Sequence, residues 1–260
     1  MRLTFLGTGT SFGVPQIGCD CAVCRSADPR DRRTRTGAVI EAGGARLLLD
    51  TPPELRLQLV GAGIARVDAV LYTHAHADHV NGIDDLRAFS VRRGAPLPLY
   101  GPAEALDAIR RNFGYIFDDG VVPLPGTSKP RLETRALEPG IAVEIAGAPV
   151  LPIALEHGRD RVFGYRIGPV AYLTDVKAVP EAARAALRGV RTLVLNALWW
   201  RTHPTHLSIG EAVEVARDVG ARETWLTHLT HETAHAALLG DLPPGVAPAH
   251  DGLVVEVAEE

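Results

Sequence analysis

Within six consecutive residues, His74-Ala75-His76-Ala77-Asp78-His79, four side chains can bind a metal. They follow Val70-Leu71-Tyr72-Thr73, which reads as the end of an apolar strand over 69–73. Residues two apart in extended backbone point the same way, so His74 and His76 can grip one ion. Asp78 and His79 lie beyond the turn and can face a second. A hydroxide shared by two divalent ions is nucleophilic at neutral pH, and the same ions can hold the attacked group. Hydrolysis is the chemistry this spacing implies. A chance histidine-rich surface loop is the plain alternative, and the strand running directly into the cluster argues against it.

All three cysteines, Cys19, Cys21 and Cys24, fall within six residues. An odd number cannot close a disulfide framework. The C-x-C-x2-C spacing suits one tetrahedral ion whose fourth ligand comes from elsewhere, and three reduced thiols in a loop are the alternative. Arg32, Arg33 and Arg35 offer planar guanidinium groups to a substrate phosphate, or else form a solvated face paired with Asp28 and Asp31. Trp199 and Trp200 read as partly core, with one free to line a cleft and stack on a base or sugar. His203 reads as an exposed loop residue, and His235 and His250 as structural or surface groups.

These residues need a scaffold. Strand-like runs lie at 3–6, 38–41, 46–50, 69–73, 97–100, 141–145, 150–155, 163–167, 170–174, 192–196, 223–227 and 253–257. Helical runs lie at 53–61, 103–112, 180–187, 208–219 and 231–239. Ser208 and Glu211 have the spacing of a capping box. Gly7-Thr8-Gly9-Thr10 suits a turn whose backbone lies close to something else. The order predicts an α/β chain of two half-domains, each a sheet covered by helices, meeting edge to edge as one domain over 1–260.

Composition narrows the function classes. With 260 residues, 46% apolar and 22% charged, the chain buries a core and is not disordered. Its 27 basic and 31 acidic residues leave a net charge of −4, with no basic surplus to draw in nucleic acid or an anionic membrane. No uncharged apolar run approaches the roughly 20 residues of a membrane span. No secretory signal opens the sequence, so a cytoplasmic location is expected. A homodimer is the default for a soluble enzyme.

Thr73-His74-Ala75-His76-Ala77-Asp78-His79 resembles the signature of the metallo-β-lactamase fold. His157, Asp175 in Leu173-Thr174-Asp175 and His228 in Leu226-Thr227-His228 keep the order of its later ligands. The resemblance implies a four-layer αββα sandwich. It also implies one metal on His74, His76 and His157, a second on Asp78, His79 and His228, and Asp175 between them. True β-lactamases of the two-zinc kind carry a cysteine where Asp175 stands. An oxygen bridge makes a harder site, so Mn2+ competes with Zn2+ there.

A second set sharpens the resemblance: Thr4-Phe5-Leu6-Gly7-Thr8-Gly9-Thr10, the cysteine cluster, Arg32-Arg33-Thr34-Arg35 and Leu226-Thr227-His228-Leu229-Thr230-His231. Together these look like the PhnP family, the phosphodiesterases of the carbon-phosphorus lyase (phosphonate) pathway and their relatives. The family pattern makes His231 the fourth ligand of a structural Zn2+ with Cys19, Cys21 and Cys24. It makes His206, in His203-Pro204-Thr205-His206, the group that protonates the leaving oxygen. A metal-dependent phosphodiesterase cleaving a small phosphodiester, cyclic or linear, is the implied activity. A thioester hydrolase of the glyoxalase II kind, a transfer-RNA-processing nuclease and a non-catalytic metal-binding scaffold are the alternatives.

Overall fold

Apolar residues occupy both faces of the inner strands. In β1 (Arg2–Gly7), β2 (Gly37–Ala42) and β3 (Ala45–Leu49), Leu3, Phe5, Ile40, Leu47 and Leu49 pack to one side. Leu6, Val39 and Leu48 pack to the other. Strands buried on two faces need cover on two faces. The computed structural model of the chain, which describes residues 1–258, supplies it with two seven-stranded sheets.

The first sheet has the order β14 (Val254–Glu256), β1, β2, β3, β4 (Ala69–Leu71), β5 (Leu97–Gly101), β6 (Leu132–Ala136). The second runs β13 (Val246–Pro248), β12 (Glu223–Thr227), β11 (Thr192–Asn196), β10 (Val170–Leu173), β9 (Asp160–Ile167), β8 (Ala148–His157), β7 (Val143–Ile145). Phe5, Ile40 and Leu49 of the first meet Tyr165, Tyr172 and Val194 of the second in a shared core. The sheets therefore pack face to face and not edge to edge, because their apolar inner faces can be buried only against each other.

Helices complete the outer layers. On the first sheet lie α1 (Leu55–Gly61), α2 (Ala77–Val80), α3 (Arg87–Arg93), α4 (Ala103–Asn112) and α5 (Gly114–Phe117), contributing residues such as Leu59, Phe89 and Ile109. On the second lie α6 (Glu181–Ala186), α7 (Ile209–Val219) and α8 (His235–Asp241), contributing Ala183, Val215 and Leu238. The result is the αββα sandwich. Among the described residues no helix is long and apolar enough to cross a membrane.

Strand direction places the site. β3 and β4 are parallel, as are β10, β11 and β12. β8 pairs antiparallel with β9, which pairs antiparallel with β10, so β8 runs with β10. The C-terminal ends of each set therefore open onto one rim, where ligands of open α/β sheets gather. α7 starts at the capping box: Glu211 N–H donates to Ser208 Oγ at 3.2 Å and Ser208 N–H donates to Glu211 Oε2 at 2.7 Å.

Three kinds of element depart from the sequence reading: the short helices α2, α3 and α5, which it does not foresee, the start of the last helix, and two edge strands. The last helix begins at His235 and not at His231. His231 Nδ1 lies against three cysteine sulfurs, and Arg33 binds the carbonyls of Thr230 and Thr233, so this stretch is held away from helical geometry. The unforeseen strands β6 and β13 are both sheet edges: β6 mixes apolar and charged residues, and β13, of three residues, is too short to show an alternation.

Candidate active site

Each donor sits where a strand stops. His74 to His79 follow β4, His157 ends β8, Asp175 follows β10 and His228 follows β12. Asp175 and His228 adopt left-handed backbone, with φ of 55° and 59°, as does Asp50 after β3 at 59°. Non-glycine residues seldom hold that conformation, and Asp and His are among those that tolerate it best. The turn it makes aims a side chain back across the strand end.

Side-chain atoms of His74, His76, His157 and Asp175 lie within 4.8 Å of one another, as do those of Asp78, His79 and His228. Asp175 joins both sets: its carboxylate is 3.9 Å from His74 Nε2, 4.0 Å from His157 Nε2, 3.3 Å from His79 Nε2 and 3.4 Å from His228 Nε2. All of these are buried except His76, which is exposed, and Asp78, which is half-buried.

The outer ring nitrogens are tied down. His79 Nδ1 meets Asp50 Oδ2 at 2.8 Å, and His157 Nδ1 meets the Thr205 carbonyl at 2.8 Å. His74 Nδ1 meets Thr73 Oγ1 at 2.9 Å, and that hydroxyl donates to Asp50 Oδ2 at 2.8 Å. One buried carboxylate therefore orients His79 directly and His74 through Thr73, leaving Nε2 of each turned toward Asp175. Such outer partners fix the tautomer that a metal needs.

The charge balance calls for cations. Burial disfavours the His79 imidazolium, yet Asp175, Asp78 and Asp50 outweigh it and hold its pKa well above the ordinary histidine value. Burial alone would raise Asp175, but His228, His79 and His206 keep it well below the usual carboxylate range. His74 Nε2, His79 Nε2 and both ring nitrogens of His228 are buried without a hydrogen-bond partner. Buried polar atoms left in that state are costly unless something binds them. Imidazole and carboxylate donors with unspent lone pairs suit divalent ions.

His206 closes the arrangement. Its Nε2 is 3.1 Å from Asp175 Oδ2, and its Nδ1 is 2.9 Å from Thr205 Oγ1 and 3.2 Å from His203 Nδ1. Burial lowers its pKa, and the Asp175 carboxylate opposes that shift. An open cleft of about 660 Å³ runs past His76, Asp78, Asp175 and His206, with Arg159 on its wall.

Cys19, Cys21 and Cys24 surround His231 Nδ1 at 3.2, 3.4 and 3.5 Å. The Cys24 N–H brings the Cys21 thiol down to about 6, whereas burial pushes Cys24 up to about 11. Three sulfurs around one imidazole nitrogen fit a tetrahedral zinc ion. The Gly7–Thr10 turn braces this region: Leu229 N–H donates to the Thr8 carbonyl at 2.9 Å and Thr10 N–H donates to the Leu229 carbonyl at 3.1 Å. A Cβ on Gly9 would lie 2.5 Å from the Arg33 carbonyl oxygen, so the close approach requires glycine there.

The arginines part company. Arg33 is fully buried, donating to the Thr230 carbonyl at 2.6 Å and the Thr233 carbonyl at 3.1 Å, with Asp31 at 3.5 Å. Arg35 donates to the Ser11 carbonyl and pairs with Glu54. Neither forms the solvated face that an arginine run suggests, and Arg32 alone stays exposed. His203 is half-buried against His206 and not an exposed loop residue. Asp50 and His203 are the functional candidates the sequence reading missed. The one signal for Asp50 was its place at the end of an apolar strand.

Comparison with known proteins agrees with this geometry. Residues 45–229 match the beta-lactamase superfamily domain. The chain is 40% identical over 263 residues to a Porphyromonas gingivalis protein named octanoyltransferase, covering 100% of this chain but only 52% of that one, so it spans about half the relative's length. The crystal structure of a diphosphatase from the PhnP family superposes with a TM-score of 0.91 at 40% identity, covering 99% of this chain and 98% of the other. Zn2+-bound PqqB from Methylobacterium extorquens shares the fold, with a TM-score of 0.78 at 19% identity over 99% of this chain and 100% of that one. The chain belongs to the beta-lactamase superfamily, on its PhnP-like branch of metal-dependent hydrolases.

Proposed function

We propose that the chain is a metal-dependent phosphodiesterase acting on a small phosphodiester. The observation that carries this reading is His206, whose Nε2 stands 3.1 Å from Asp175 where the two donor sets meet. His74, His76 and His157 would hold one divalent ion, Asp78, His79 and His228 the other, and Asp175 would reach both. Such ions, Mn2+ or Zn2+, supply an activated water at neutral pH and positive charge for phosphoryl oxygens. Cys19, Cys21, Cys24 and His231 would hold a structural Zn2+ beside the rim.

The remaining work falls to the chain's own groups. His206 gives a proton to the departing oxygen, which an alkoxide leaving group requires. Thr205 and His203 hold the far side of its ring, so Nε2 keeps facing the cleft. Arg159 offers a guanidinium to a phosphoryl oxygen from the cleft wall. The full-length likeness to a PhnP-family diphosphatase supports phosphorus as the reacting centre.

Thioester hydrolysis is the second reading, favoured by one observation: the Porphyromonas gingivalis relative, about twice as long, is named for transfer of an acyl group. A hydrolysis screen separates the two. It should contain bis-p-nitrophenyl phosphate, cyclic nucleotides, a ribosyl cyclic phosphate, a glutathione thioester and a transfer RNA precursor, each with Mn2+ and with Zn2+. Turnover of the small phosphodiesters is expected. Thioester turnover without phosphodiester turnover would overturn the proposal.

A further inference from the structure

A second, smaller cavity of about 190 Å³ adjoins the main cleft, and Ser11 and His206 line both. The two spaces differ in kind. Carboxylates of Asp78 and Asp175 line the first, whereas Phe12, Leu198 and Trp199 line the second, with His203 at its edge and no acid or guanidinium on its wall.

Phe12, on the wall of this space, is 64% exposed. The exposure is built in, because the backbone on both sides of it is pinned. Thr10 N–H donates to the Leu229 carbonyl at 3.1 Å, and Val14 exchanges hydrogen bonds with Arg33, both at 2.8 Å. Trp199 is held by the Arg201 guanidinium at 4.2 Å over its ring and by the edge of His203 at 5.3 Å. A fixed aromatic wall is a binding surface for a flat ring.

Position supplies the rest. A leaving oxygen protonated by His206 must sit beside that imidazole, and whatever the oxygen carries must extend past it. We propose that the Phe12–Trp199 cavity is the leaving-group subsite and that it takes a flat, uncharged aromatic or heteroaromatic ring. This rests on the phosphodiesterase reading and narrows its substrate class: the alcohol released bears a planar ring. Phe12 stacks on the ring, and Trp199 shapes the opposite wall.

The test compares two methyl phosphodiesters whose leaving alcohols are benzyl alcohol and cyclohexylmethanol, equal in carbon count but flat in one case and puckered in the other. Stacking should favour the benzyl ester roughly 2- to 10-fold in kcat/KM on the Mn2+-loaded protein. Phe12→Ala should bring that ratio to about one through KM, and Phe12→Tyr should keep it. Equal rates on the two esters in the unsubstituted protein, or equal losses on both in Phe12→Ala, would overturn the subsite. Saturation-transfer NMR with the free alcohols gives a readout independent of turnover. Benzyl alcohol should receive more saturation than cyclohexylmethanol, and Phe12→Ala should remove the difference. Failure of all diester turnover would sink the phosphodiesterase reading, while the NMR result would still decide whether the cavity prefers a flat ring.

Discussion

The two donor clusters are built on opposite plans. The histidine and aspartate donors are gathered from the ends of four strands, β4, β8, β10 and β12, and are braced by Asp50 after a fifth, β3. Most are buried, and three of the histidines have their outer nitrogen tied. The thiolate cluster draws three of its four donors from six residues of an irregular loop, and two of those cysteines are half-exposed. The superfamily match over 45–229 contains all of the first cluster and none of the second. The first is thus a product of the whole sandwich. The second is a local addition, held to it by the stretch from His228 to His231, the Gly7–Thr10 turn and the buried Arg33.

Metal removal tests that contrast most strongly. A mild chelator should abolish activity by emptying the open cleft, yet leave about one zinc per chain in the closed thiolate site. Cys21→Ser should do the reverse, lowering zinc content and melting temperature before it touches the cleft. Elemental analysis with thermal melting reads both. Loss of all metal together, with no change in melting temperature, would break the distinction.

His206→Ala comes next. On an alkyl phosphodiester kcat should fall about 10²- to 10⁴-fold, the usual worth of a general acid. On a p-nitrophenyl ester, whose leaving group departs as a stable anion, the loss should be far smaller, with metal content unchanged. Equal losses would make His206 a positioning residue, and a collapse of bound metal would make it a ligand.

Asp50→Asn should cost about 10- to 100-fold in metal affinity, the range for an outer partner of a ligating histidine. Asp50 reaches His79 directly and His74 through Thr73, so both cleft ions should weaken while the thiolate zinc stays. Weakening of one ion alone would show that the Thr73 link carries no orientation.

The smallest effect lies just outside both clusters. His235 is buried near Arg30, Arg33, His250 and Asp28, and burial takes its pKa from 6.5 down to about 4. Between those values the unfolded chain binds a proton that the folded chain refuses, so stability falls as pH drops through the window. His235→Gln should flatten that fall by about 1–3 kcal/mol, read as denaturant midpoints near pH 7 and near pH 4. An unchanged slope would mean that His235 does not titrate as burial dictates.

The sequence discloses these regions unevenly, for physical reasons. The ligating candidates were legible because each closes an apolar run and few roles besides metal binding call for so many histidines together. Asp50 was not, since one carboxylate before Thr51-Pro52-Pro53 looks the same whether it caps a turn or orients a histidine. Arg33 was hidden by its neighbours: three arginines in four residues suggest a surface, and only the fold shows one of them swallowed to hold two carbonyls. The face-to-face packing was hidden too, because periodicity tells that a strand has two apolar faces but not which sheet covers them.

The left-handed turns at Asp50, Asp175 and His228 set a limit on engineering this protein for heat resistance. Each such residue costs on the order of 1–3 kcal/mol relative to a relaxed backbone. Glycine at any of the three would relieve that strain and remove the very side chain the turn exists to aim. A stability screen blind to catalysis would therefore be drawn toward the strand ends that carry the candidate metal ligands. The safe gains lie elsewhere, at exposed apolar positions of α1 such as Leu57 and Val60, where the sandwich asks nothing of the side chain.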